Sequence, residues 1–79
     1  DADLDAAIMG AAQAIFSNAG QVCVAGSRLY IQECVYEEVI AGLSKFASEL
    51  RVGSALDYET QMGPLISKGH LESVCNFIE

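Results

Sequence analysis

Leu4, Ile8, Ala11 and Ile15 recur at spacings of four and three, and Ala7, Ala12 and Phe16 widen the same stripe. That is the period of an amphipathic helix, and it predicts one over residues 3–17. Asp1, Asp3 and Asp5 crowd its start, where negative charge complements the helix dipole. Asn18 and Gly20 supply a stop, since both tolerate positive φ. Residues 17–27 then carry small side chains, two glycines and a cysteine, but no charge. From Arg28 the period changes. Arg28, Tyr30 and Gln32 alternate with Leu29 and Ile31, which predicts a strand over residues 28–33. A second amphipathic helix is expected over residues 35–51, with Tyr36, Val39, Ile40, Leu43, Ala47 and Leu50 as its buried stripe, Phe46 at the edge and Gly53 as its stop. A polar loop with the one proline, Pro64, covers residues 54–64. Ser67 is placed to cap a last helix, with Leu71, Val74, Cys75 and Ile78 as its apolar stripe.

The order helix, cysteine loop, strand, helix, loop, helix fits a slice of a layered α/β domain. One strand cannot make a sheet, so its partners are expected outside these residues. The chain opens on Asp1 and closes on Glu79 in mid-pattern, which also suits a piece of a larger protein.

Composition narrows the class. Over 79 residues, 4 basic and 11 acidic side chains give a net charge of −7, with 52% hydrophobic and 19% charged residues. That is a packed globular composition. Its acidic balance argues against nucleic acid and anionic membranes as partners, because both require clustered Lys and Arg. No apolar run reaches the roughly 18 residues of a membrane span, and no signal-peptide pattern is present. Cys23, Cys34 and Cys75 are odd in number and widely spaced, and His70 is the single histidine. These residues do not supply four closely spaced zinc ligands, so no metal is expected. Unpaired thiols suit a reducing compartment, and hence the cytoplasm. With neither disulfide nor metal, so short a chain is expected to fold poorly alone.

Cys23 lies in Gly20-Gln21-Val22-Cys23-Val24-Ala25-Gly26-Ser27. A cysteine between two valines is ordinarily a small buried hydrophobe. This one stands at a helix-to-strand junction between glycines, where loops carry chemistry and another molecule can approach the backbone. A nucleophile on such a turn, with backbone N–H groups free beside it, can have its oxyanion stabilised. Residues 16–28, Phe16-Ser17-Asn18-Ala19-Gly20-Gln21-Val22-Cys23-Val24-Ala25-Gly26-Ser27-Arg28, resemble the active-site cysteine signature of the aldehyde dehydrogenase superfamily. The acidic helix start Asp1-Ala2-Asp3-Leu4-Asp5 resembles the segment preceding that loop. Val52-Gly53, with Asp57, Thr60 and Gly63-Pro64-Leu65-Ile66, resembles the family's V-G-x-x-x-D-x-x-T-x-x-G-P-L-I segment. Three motifs in co-linear order cover essentially the whole chain.

The resemblance implies that residues 1–79 are part of an α/β catalytic domain, without the cofactor-binding and oligomerisation domains. It implies that Cys23 is the catalytic nucleophile. Its thiolate would attack an aldehyde, the thiohemiacetal would pass a hydride to NAD or NADP, and water would hydrolyse the resulting thioester to the acid. The Cys23 N–H would help hold the oxyanion, Asn18 would belong to the loop scaffold, and Val22 and Val24 would lie where the family lines its substrate tunnel. Ser17 stands where some members carry an aromatic side chain. The family's general-base glutamate lies in an upstream motif that Glu33, Glu37 and Glu38 do not match. The cofactor residues also lie elsewhere, so none is assigned here and the segment alone is expected to be inactive. A small-molecule aldehyde as substrate and a homodimeric or homotetrameric parent are implied as partners. Two other readings fit the same residues: a non-catalytic, crystallin-like relative with Cys23 idle, and a small acidic interaction module. An upstream glutamate motif and a Gly-rich cofactor loop in the parent gene would separate the enzyme from both. Elsewhere, Cys34 reads as a structural or partly exposed thiol, Cys75 as core, His70 as solvent-facing, and Tyr30, Tyr36 and Phe46 as packing residues.

Overall fold

The computed structural model of the chain describes residues 1–78. Helix α1 runs over Leu4–Phe16, α2 over Tyr36–Glu49 and α3 over Lys68–Ile78. Short 3-10 turns, Ser17–Gly20 and Glu33–Val35, follow α1 and precede α2.

Each helix starts where its local chemistry dictates. Asp3 is extended (φ −72°, ψ 106°), and its Oδ1 accepts the Ala6 N–H at 3.1 Å, satisfying one of the donors left over at a helix start. Ser67 Oγ accepts the His70 N–H at 3.1 Å and caps α3 in the same way. No side chain caps α2; it grows out of the 3-10 turn at Glu33 and ends where Leu50 turns extended (φ −64°, ψ 125°).

The core is small and lies between α1 and α2. Ala12 on α1 and Val39 on α2 are its buried apolar residues. Phe16 and Phe46 stack beside them, with ring centroids 6.0 Å apart and planes 8° from parallel. Within the second helix the expected stripe is graded. Leu43, Phe46 and Leu50 are half-buried, while Tyr36, Ile40 and Ala47 are exposed. The last helix packs against neither of the others among the described residues.

Two expectations are corrected. Residues 28–33 form no strand: among the described residues the only bridge is an isolated parallel one, Val52 with Met62. Residues 25–32 run without regular structure into the 3-10 turn, with Leu29 and Tyr30 exposed. A strand exists only through hydrogen bonds to a neighbouring segment, and none here offers its edge. The described residues are therefore helical with irregular connections, and the α/β class is not realised within them. Cys75 is exposed, not core. The spacing of its stripe is helical as expected, but α3 has nothing to press that stripe against, and only Val74 is half-buried.

Candidate active site

The loop carrying Cys23 is built from α1 outward. As the helix ends, three residues in succession take left-handed backbone angles: Asn18 (φ 50°), Ala19 (φ 56°) and Gly20 (φ 74°). Such a run is costly for residues with a Cβ, roughly 1–2 kcal/mol each. Gly20 is the natural occupant of its place, since a Cβ there would meet the Ile15 carbonyl oxygen at 3.3 Å. Asn18 is one of the few other residues that tolerate the conformation. Ala19 has no such excuse, and strain of this kind persists only where surrounding bonds over-determine it.

Those bonds come from Asn18 and Gln21. Asn18 Nδ2 donates to the Gln21 carbonyl at 3.2 Å, and the Asn18 carbonyl accepts both the Gln21 N–H and Gln21 Nε2, each at 3.1 Å. The other end of the Gln21 amide reaches across the molecule, where its Oε1 accepts the Ile66 N–H at 2.9 Å.

Beyond Gln21 the chain makes a tight turn, with the Ala25 N–H donating to the Val22 carbonyl at 3.0 Å. Cys23 and Val24 are the two central residues of that turn, and both are exposed. The loop is then fastened back onto α1, as the Gly26 N–H donates to the Ala14 carbonyl at 2.9 Å. Among the described residues the Cys23 N–H has no hydrogen-bond partner, and the thiol is free and exposed. Cys23 is thus a presented thiol beside a free backbone donor, on a turn pinned at both ends.

The second motif closes on itself. The Arg51 carbonyl accepts the N–H groups of Gln61 (2.8 Å) and Met62 (3.1 Å), and the Gly53 N–H donates to the Met62 carbonyl at 3.1 Å. Within the loop Asp57 Oδ1 accepts the Glu59 N–H at 2.9 Å, while Thr60 Oγ1 lies 2.9 Å from where a Cβ on Gly53 would stand. Asp57, Thr60 and Gly53 therefore shape the loop. An exposed Arg51–Glu59 ion pair at 3.2 Å lies over it, of the kind that contributes about 0–1 kcal/mol. The loop delivers residues 64–66 to Gln21.

Other candidates stand apart from this site. Cys34 is exposed in the 3-10 turn before α2, and His70 is exposed in the first turn of α3, facing solvent as the sequence predicts. The α1 start carries Asp3 and Asp5, and the α2 start Glu37 and Glu38, so these two helix N-termini repel a pyrophosphate. A G-x-G-x-x-G pattern is lacking as well. Among the described residues no group of three or more His, Cys, Asp or Glu side chains converges as for a metal. Among the described residues no helix is long and apolar enough to cross a membrane. The role of Gln21 was not read from the sequence; its one signal there is a long amide in a loop of otherwise small, uncharged residues.

Comparison with known proteins extends these findings. The family model described as "Aldehyde dehydrogenase family" matches residues 1–79. Phenylacetaldehyde dehydrogenase of Pseudomonas fluorescens is 50% identical over 78 residues, which is 99% of this chain and 16% of that protein. Betaine aldehyde dehydrogenase of Bacillus subtilis is 42% identical over 79 residues, again 16% of its length. Among solved structures, an NAD+ complex of an aldehyde dehydrogenase from Bacillus cereus superposes with a TM-score of 0.95 at 47% identity, covering 99% of this chain and 16% of that one. The chain thus spans about one sixth of the length of these relatives.

Proposed function

The chain belongs to the aldehyde dehydrogenase family, and from that membership we propose that it is the cysteine-bearing segment of the catalytic domain of an NAD(P)-dependent aldehyde dehydrogenase. The observation that carries the assignment is the presentation of Cys23: an exposed thiol at the apex of a turn whose two ends are held by Gln21 and Gly26.

Cys23 Sγ, as thiolate, forms a bond to the carbonyl carbon of an aldehyde, and the carbonyl π pair moves onto oxygen. Sulfur suits the task because it is a strong nucleophile and afterwards a good leaving group. The Cys23 N–H, free of other partners, donates to that oxyanion. NAD or NADP, bound by residues outside this chain, is the two-electron acceptor of the overall reaction. Water opens the thioester carried on Sγ, which returns the thiol and releases a carboxylic acid. Val22 and Val24 flank the reacting atom and offer the substrate an apolar, uncharged approach. The general base and the cofactor residues belong to the rest of the enzyme, so the isolated segment is inactive. We assign the parent enzyme to the cytoplasm as a homodimer or homotetramer acting on a small aldehyde, with neither nucleic acid nor membrane as a partner. That reading rests on the acidic charge, the unpaired thiols and the family. Relatives named for phenylacetaldehyde and for betaine aldehyde match to similar degrees, so the proposal stops at the class of substrate.

The test is Cys23→Ser in the full-length enzyme. Turnover of aldehyde is expected to vanish while cofactor binding, followed by protein fluorescence quenching, stays near that of the unaltered enzyme. Retention of most of the turnover would falsify the assignment.

A further inference from the structure

We propose that Gln21 is a positioning residue for the nucleophile: its side-chain amide latches the cysteine loop to the segment 64–66 and thereby sets where Cys23 Sγ stands. The inference rests on the assignment of Cys23 above.

Both ends of the amide are engaged, and in opposite senses. Nε2 donates to the Asn18 carbonyl at 3.1 Å, and Oε1 accepts the Ile66 N–H at 2.9 Å. An amide turned end for end would set oxygen against carbonyl oxygen and N–H against N–H, so the two partners fix its orientation. The link spans 45 residues of sequence. It is the direct bond between two motifs that resemble the family's separately, the cysteine loop and the Gly63-Pro64-Leu65-Ile66 segment.

Its place in the loop makes the link consequential for Cys23. Only Val22 lies between Gln21 and Cys23. Upstream, three Asn18–Gln21 bonds hold the left-handed run of Asn18 and Ala19; two use the Gln21 backbone, and the third uses Gln21 Nε2. Downstream, the Gly26–Ala14 bond anchors the far side. Residues 21–26 are therefore a short bridge with two abutments, and Gln21 is the one whose hold depends on a side chain. Loss of the amide releases the loop from Ile66 and removes one of the three Asn18–Gln21 bonds, while leaving α1, the turn and the thiol itself in place. A shift of the attacking atom by about 1 Å can cost on the order of 100-fold in rate.

The experiment uses the full-length enzyme with Gln21→Met, which keeps the length and volume of the side chain and removes both hydrogen bonds. The rate of the NAD(P)H burst in a single turnover is measured together with the aldehyde KM. The burst is expected to slow by about 10- to 100-fold, with KM within about threefold of the unaltered enzyme, because the substrate still meets the same walls. Gln21→Glu keeps an acceptor for the Ile66 N–H but loses the donor to Asn18, and its burst is expected to fall between the two. Should Gln21→Met not accumulate as folded protein, Gln21→Glu carries the test: a slowed burst with KM kept supports the latch. A burst within about twofold of the unaltered enzyme in the folded variant overturns the proposal, as does a rise in KM matching the loss of rate, since either shows that the amide does not position the reacting thiol. If Cys23→Ser remains active the underlying assignment fails; if only the Gln21 variants remain active, this inference alone fails.

Discussion

Detached from its neighbours, the 79-residue chain should not hold this conformation cooperatively. A folded monomer of 8.4 kDa exposes about 4,600 Å² by the usual scaling of surface with mass. This chain exposes 6525 Å². The excess, about 1,900 Å², is surface that a self-sufficient domain of the same size would have buried. With about 57% of such surface apolar and about 25 cal/mol per Å², the missing burial amounts to roughly 27 kcal/mol. That exceeds the 5–15 kcal/mol or so by which whole domains are stable. The exposed residues say where the surface lies: Tyr30 at 89% on the unpaired irregular segment, Ile66 at 87% after Pro64, and Phe77 at 90% on the unpacked third helix. No disulfide closes the chain to offset the loss. The assays are a urea titration followed by far-UV circular dichroism and an amide correlation spectrum of the labelled chain. A gradual, non-cooperative loss of helix, narrow amide dispersion and a tendency to self-associate are expected. A single sigmoidal transition accompanied by dispersed amide signals would show that α1 and α2 hold the chain together by themselves, and the area argument would be refuted.

Further expectations concern single positions in the full-length enzyme. Ala19→Gly relieves left-handed strain of about 1–2 kcal/mol and concedes about 0.4–1 kcal/mol of unfolded-state entropy, so its Tm should equal or exceed that of the unaltered enzyme. Ala19→Val, β-branched at positive φ, should melt lower, and a Val variant as stable as the original would contradict the backbone angles at that site. Gly53→Ala drives a Cβ to 2.9 Å from Thr60 Oγ1 and should destabilise by about 1–3 kcal/mol. Adding Thr60→Ala removes that oxygen and should recover part of the loss in the same thermal assay, whereas strictly additive effects would place the strain elsewhere. Cys34→Ser and Cys75→Ser should keep dehydrogenase turnover, because both thiols are exposed and neither belongs to the cysteine loop; loss of activity in either would reopen the assignment of the nucleophile.

All three helices were legible in the residues themselves. The i, i+4, i+7 stripe of α1, the Asp3 and Ser67 caps and the stop near Gly20 concern groups three or four residues apart, and a helix makes its hydrogen bonds within that same range. Candidate chemistry was legible for a related reason: Cys23 and the glycines beside it form one contiguous run. Four features needed the tertiary structure. Whether residues 28–33 become a strand depends on a partner segment, and α/β patterning cannot supply one. The periodicity of α3 places Cys75 on an apolar stripe, but burial requires an opposing surface, and α3 meets none. That Ala19 takes a left-handed angle is against its own preference and follows from the bonds between Asn18 and Gln21 around it. And the hold of Gln21 on Ile66, 45 residues distant, is set by where the loop 51–63 delivers the backbone that follows it. Local periodicity and capping decide what a stretch of chain can be, because their energies are spent within a turn or two. Burial, pairing and the aim of a side chain are properties of two segments at once, so they are settled only when the chain brings the second segment into reach.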